Sequence, residues 1–131
     1  MREPLLLDTH IWVWGMLGLP ELTEDNRRLV LSSQPLLSSM SIYEAGYKIA
    51  RGRWLGVPPD LWPDILAALP ASGITEIVPD AEVFRRAATL DWAHGDPGDR
   101  VLITEAQRRG IPILTRDRAL HAYDRVETIW L

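Results

Sequence analysis

The chain has 131 residues, enough for one domain with its own core, and a single unit spanning residues 1–131 is expected. A hydrophobic share of 47% and a charged share of 24% suit a globular protein, and the lack of cysteine excludes disulfides, zinc–thiolate centres and thiol catalysis. The formal charge of −4 counts against a surface built on net positive charge, although all basic residues but Lys48 are arginine, which suits phosphate.

No uncharged apolar stretch approaches the ~20 residues of a membrane span. Residues 1–4 lead straight into an apolar run, leaving no room for a secretory signal, so a soluble, cytoplasmic protein is expected. No internal repeat or linker divides the chain. Leu5–Asp8 reads as a first strand and Thr9–Leu17 as a helix. Glu24–Ser32 reads as a surface helix, Pro35–Ser38 as a buried strand, and Ile42–Arg51 as a helix ended by Gly52. Pro58-Pro59 breaks structure, and Asp60–Leu69 has helical spacing. Thr75–Val78 is a third strand, with Asp80 capping a helix over Ala81–Leu90.

Asp96-Pro97 places an N-cap and an N1 proline at the start of a helix that runs to Gly110. Pro112–Leu114, Asp117–Ala122 and Val126–Trp130 complete the chain as strand, short helix and strand. Strands alternating with helices predict an α/β fold with a mainly parallel central sheet. Trp12 and Trp14 cannot share one helix face, so one of them is expected to be exposed. Trp54 and Trp62 fall in a Pro-rich segment expected to present aromatic surface.

Four carboxylates, Asp8, Glu44, Asp99 and Asp117, stand where strands hand over to helices. The carboxyl ends of parallel strands share one edge, so these acids should converge there. Crowded carboxylates stay ionised only beside a cation, and oxygen ligands favour a hard ion such as Mg²⁺ or Mn²⁺. The pattern points to a metal-dependent hydrolase.

Each acid also has a local reading. Asp8 and Asp117 can be N-caps, and Asp99 can serve the dipole at N3 of its helix. Ser41-Ile42-Tyr43-Glu44 matches a capping box, which would occupy Glu44. Thr115 can support the turn at Asp117. Lys48, one helical turn after Glu44, can pair with it, steady a carboxylate or meet a substrate phosphate. His10 and His94 lack zinc-site spacing and are expected to make local hydrogen bonds. Nucleotide-binding glycine motifs and the serine-hydrolase elbow are absent. A phosphoacceptor or binding domain on a doubly wound sheet is the competing class, but it wants an acidic pair after the first strand and a lysine after the last.

In order, LLLDTHIWVW, SSMSIYEAGYKIARGRW, HGDPGDRVLITEA and IPILTRDRAL resemble PIN-domain proteins, and among them most the VapC toxins of toxin–antitoxin pairs. The resemblance runs from Leu5 to Trp130. It implies a three-layer α/β/α fold, Mg²⁺- or Mn²⁺-dependent cleavage of RNA, homodimerisation and restraint by a VapB-type antitoxin. It also implies an acidic site of Asp8, Glu44, Asp99 and Asp117, with Thr115 supporting the last acid. Gly98 departs from the bulky aromatic common there and suggests a more mobile helix start. Gly46 is unexpected inside a helix.

Overall fold

The computed structural model describes residues 2–131. Five parallel strands form one sheet in the order β3-β2-β1-β4-β5. They are β1 Pro4–Leu7, β2 Gln34–Ser38, β3 Thr75–Ile77, β4 Ile113–Leu114 and β5 Thr128–Ile129. The chain builds outward from β1 through β2 to β3, then crosses to the other side of β1 for β4 and β5. Strand order therefore reverses between β1 and β4, where the two connections diverge and leave a crevice at the carboxyl ends.

Strands β1 and β4, at the middle of the sheet, are apolar throughout because both sheet faces are covered. Leu5 and Leu7 of β1 point into one core and Leu6 into the other. The first core receives Ile11, Trp12 and Val13 from α1 (Thr9–Leu17), Ala45 and Ile49 from α3 (Ser39–Ala50), and Ile65 from α4 (Trp62–Ala68). Leu29 and Val30 of α2 (Glu24–Ser32) flank it. The second core takes Leu102, Ile103 and Ala106 from α6 (Pro97–Arg109) and Leu120 from α7 (Arg118–His121). On α6, Val101 meets Val83 and Ala87 of α5 (Ala81–Ala88) in a smaller cluster. The result is the three-layer α/β/α arrangement expected. Among the described residues no helix is long and apolar enough to cross a membrane.

Three local expectations change. α3 begins at Ser39, and its N-cap is Ser38, whose side chain accepts from the Met40 N–H at 3.2 Å. Strand β2 runs into the helix without a loop, so Ser41 already lies inside α3 and no capping box forms there. Glu44 is released from that duty. The helix expected over Asp60–Leu69 is divided into a 3-10 turn Pro59–Leu61, then α4, then a 3-10 turn Leu69–Ala71. Prolines at the start of each piece remove amide donors and interrupt a continuous α ladder. Finally, Trp62, expected to present aromatic surface, is half-buried and meets the buried Trp12 edge to face at 6.0 Å, while Trp14, the other member of the α1 pair, is half-buried. Gly46 explains the fit: a Cβ there would stand 2.7 Å from the Trp62 ring.

Candidate active site

Asp8 follows β1 directly and caps α1, its Oδ1 accepting the Thr9 N–H at 2.7 Å. Its Oδ2 accepts the Thr115 hydroxyl at 2.6 Å. Thr115 closes β4 on the far side of the crevice, and its Oγ1 accepts the Asp117 N–H at 3.0 Å. One threonine thus ties the acids of two neighbouring strands together, and its complete burial makes the link rigid. Asp117 caps α7 through the Ala119 N–H at 2.9 Å. Capping and a place in the site coexist at Asp117, because the cap engages Oδ1 and leaves the other oxygen available.

Glu44 reaches in from α3. The Thr9 hydroxyl donates to its Oε1 at 3.2 Å. On its other side lies Gly98, where a Cβ would overlap the Glu44 carboxyl group. Gly98 therefore gives α6 and the Glu44 carboxyl a close approach that a side chain would deny. The start of α6 is firmly made: Asp96 accepts the Asp99 N–H at 3.0 Å and Pro97 supplies the first turn.

Asp99 accepts from His94 Nε2 at 2.7 Å. His94 in turn sits in a loop gathered by Arg100, whose guanidinium donates to the carbonyls of Ala87, Leu90, Trp92 and His94 at 2.6–3.0 Å. Sequence reasoning passed over Arg100 and Thr9. The adjacency of Asp99-Arg100 and of Asp8-Thr9 was the available signal, but only the folded loop shows what those neighbours hold. His10 is local, as expected. Its Nδ1 lies 3.5 Å from Asp8 Oδ2 and its Nε2 accepts the Arg116 N–H at 3.4 Å, while burial lowers its pKa and favours the neutral ring.

All four predicted acids line a single cavity of ≈ 430 Å³, with Thr9, His10 and Asp96 among them and Lys48 and Arg53 on its wall. Lys48 is exposed and makes no ion pair with Glu44 among the described residues. Burial first, then repulsion from Asp96 and Asp99, pushes Glu44 up to about 7. Burial likewise pushes Asp99 up to about 6, against the His94 hydrogen bond and with help from Asp96, Asp8 and Asp117. Below those values the two carboxyls bind protons with which a cation would compete. Among the described residues no three His, Asp or Glu side chains close on a point as a ready-made cage. The donor set fits a hard ion that keeps several waters and is shared with substrate, which is the manner of Mg²⁺. A separate apolar cavity of ≈ 180 Å³, lined by Ile11, Met16 and Leu22, holds no carboxylate and offers no such chemistry.

Comparison with solved structures finds the same fold across nearly the whole chain. The VapBC2 complex from Rickettsia felis bound to a promoter DNA fragment matches with a TM-score of 0.71 at 15% identity, covering 96% of this chain and 97% of that one. VapC20 from Mycobacterium tuberculosis, described as a sarcin-ricin loop cleaving toxin, matches with a TM-score of 0.69 at 16% identity, over 94% and 97%. DNA-bound VapBC from Salmonella typhimurium matches with a TM-score of 0.69 at 17% identity, over 98% of each chain. No curated protein sequence matches significantly. The family model of the PIN domain matches residues 5–126, a span that begins within β1 and takes in all four acids. The chain belongs to the PIN domain family.

Proposed function

We propose that this chain is a metal-dependent endoribonuclease that hydrolyses RNA phosphodiester bonds, and that it is the toxin of a VapBC-type pair restrained by a VapB-type antitoxin. The observation that carries the reading is the convergence of Asp8, Glu44, Asp99 and Asp117 on one cavity at the strand-order reversal. The similarity to VapC20, described as a cleaving toxin, and to two VapBC complexes supports the toxin assignment. The protein acts in the cytoplasm, and two copies pair.

Asp8, Asp99 and Asp117 would hold Mg²⁺ or Mn²⁺, with Glu44 completing the site. When bound, such an ion supplies Lewis acidity for activating water and offsetting phosphoryl charge. The remaining work belongs to the chain. Thr115 fixes the Asp8 carboxylate and the Asp117 backbone in one geometry. His94 orients Asp99. Lys48 and Arg53, on the cavity wall, meet backbone phosphates of the strand. Glu44, pushed up to about 7 chiefly by burial, would hold or release a proton at the pocket near neutral pH.

The test is cleavage of end-labelled RNA by the purified chain. Cleavage is expected with Mg²⁺ or Mn²⁺ and should fall to background in EDTA. Asp8→Asn and Asp99→Asn should be equally inactive while remaining folded. Full cleavage by either variant, or by the native chain in excess EDTA, overturns the assignment.

A further inference from the structure

We propose that Trp14 and Trp54 form a stacking subsite for an unpaired nucleobase of single-stranded RNA, next to the carboxylates. The inference rests on the RNA reading above and adds where the strand lies. A cavity of ≈ 480 Å³ is lined by His10, Trp14, Trp54, Arg116 and Asp117. Four of these, all but Arg116, also line the acidic cavity, so the two spaces are continuous around Asp117 and the tryptophans. A strand whose phosphate sits at the acids can lay a neighbouring base into the second space.

The chemistry of that space suits a base. Both tryptophans are half-buried, packed against the first core on one side and lining the cavity on the other. Trp14 is held in place by the His10 ring at 4.6 Å and by the edge of Trp130 at 6.5 Å. A ring already fixed by its neighbours loses little freedom on accepting a partner. The Arg116 guanidinium lies 5.9 Å from the Trp14 ring and is exposed, placed to stack or to meet a phosphate. Arg53 lines the acidic cavity together with Trp54, its guanidinium 5.9 Å from the Tyr47 ring, so both arms of the joined space carry an arginine. Aromatic faces interleaved with arginines, at the rim of an acidic centre, are complementary to alternating bases and phosphates. They also explain how a chain of net charge −4 can accept a polyanion.

The test compares two RNA oligomers of equal length and charge, one homopolymeric and one with its bases removed, in Mg²⁺. Binding is followed by intrinsic tryptophan fluorescence in an Asp99→Asn background that prevents cleavage. The base-bearing oligomer should quench fluorescence and bind about 5–100-fold more tightly than the abasic one, from the typical worth of one stacked base. Trp54→Ala should remove most of that difference and Trp54→Phe restore part of it, with thermal unfolding as the check on folding. The oligomer comparison on chains that keep both tryptophans needs no such check. Equal affinity for both oligomers, or no binding of either, overturns the subsite and leaves the tryptophans to a protein contact. Cleavage by the native chain is scored separately. Cutting without base preference in binding sinks the subsite alone, while base-dependent binding without cutting sinks the nuclease reading alone.

Discussion

The four acids differ in how they are held, and the surroundings of two of them, Glu44 and Asp99, raise their pKa. Asp8 is fixed by an amide and a hydroxyl, whereas Glu44 has one long hydroxyl bond and like-charged neighbours. Glu44 and Asp99 rise from ordinary values of 4.5 and 3.8 to about 7 and about 6 in the fold. The folded chain therefore binds these protons more tightly than the unfolded chain. Their contribution to stability is full below about pH 4 and is lost as pH climbs through 6 and 7. Thermal unfolding without metal should show Tm falling across that window, and Glu44→Gln should flatten the slope. A Tm that rises with pH in the native chain and is unaltered by Glu44→Gln would contradict this. Divalent ion should raise Tm most at pH 7 and above, where the carboxyls are free to bind it.

Gly98 gives a second prediction at the same scale. The atom that a new Cβ would meet is the end of a flexible side chain, so Gly98→Ala should push the Glu44 carboxyl aside and leave the helix intact. Unfolding free energy should change by less than about 1 kcal/mol, with helix propensity favouring alanine. Mn²⁺ affinity by calorimetry should drop about 10–100-fold, the usual cost of disturbing a metal site's surroundings. Native Mn²⁺ affinity in Gly98→Ala would show that Glu44 needs no such room.

At the scale of elements, α3 is where packing and propensity conflict. Glycine inside a helix costs about 1 kcal/mol relative to alanine, so Gly46→Ala would stabilise an isolated helix. Here the new methyl would stand 2.7 Å from Trp62, whose ring is itself wedged against the buried Trp12. Overpacking costs about 1–3 kcal/mol, which outweighs the gain. Gly46→Ala should therefore lower the urea midpoint at unchanged slope, and a raised midpoint would show that Trp62 can move away freely. The same element shows why Glu44 reaches the site. With the cap at Ser38, α3 starts at the end of β2 and carries Glu44 on its second turn toward Thr9 and Gly98.

For the whole molecule, the acidic cavity is a place where a partner can act. A basic side chain inserted among Asp8, Glu44, Asp99 and Asp117 would satisfy them electrostatically and compete with the ion. If the antitoxin restrains the nuclease in this way, the complex should bind Mn²⁺ more weakly than the free chain in a calorimetric titration. Equal affinity would place the restraint elsewhere, such as on the RNA path past Trp14 and Trp54. The sheet would make this economy possible, since on the proposed reading one crevice between β1 and β4 would serve metal, substrate and inhibitor alike.

Sequence by itself determined the layers and the acids. Apolar strands alternating with capped helices imply a covered parallel sheet, and Asp8, Glu44, Asp99 and Asp117 each stand near a strand end or within the first two turns of a helix in linear order. Asp80, Asp96 and Asp117 were legible as caps because capping is a contact between near neighbours in sequence. Only the tertiary structure decided which local motif was real. The Ser41–Glu44 capping box failed because β2 runs directly into α3, a matter of strand length and register. Trp12 and Trp62 looked alike with Trp14 and Trp54 in sequence, yet the first pair packs inward and the second lines the site. Their facing depends on how α1 and α4 lie against each other. The two unusual glycines were visible as oddities, but their reasons, a tryptophan ring and a carboxyl group from distant segments, exist only when the chain is folded.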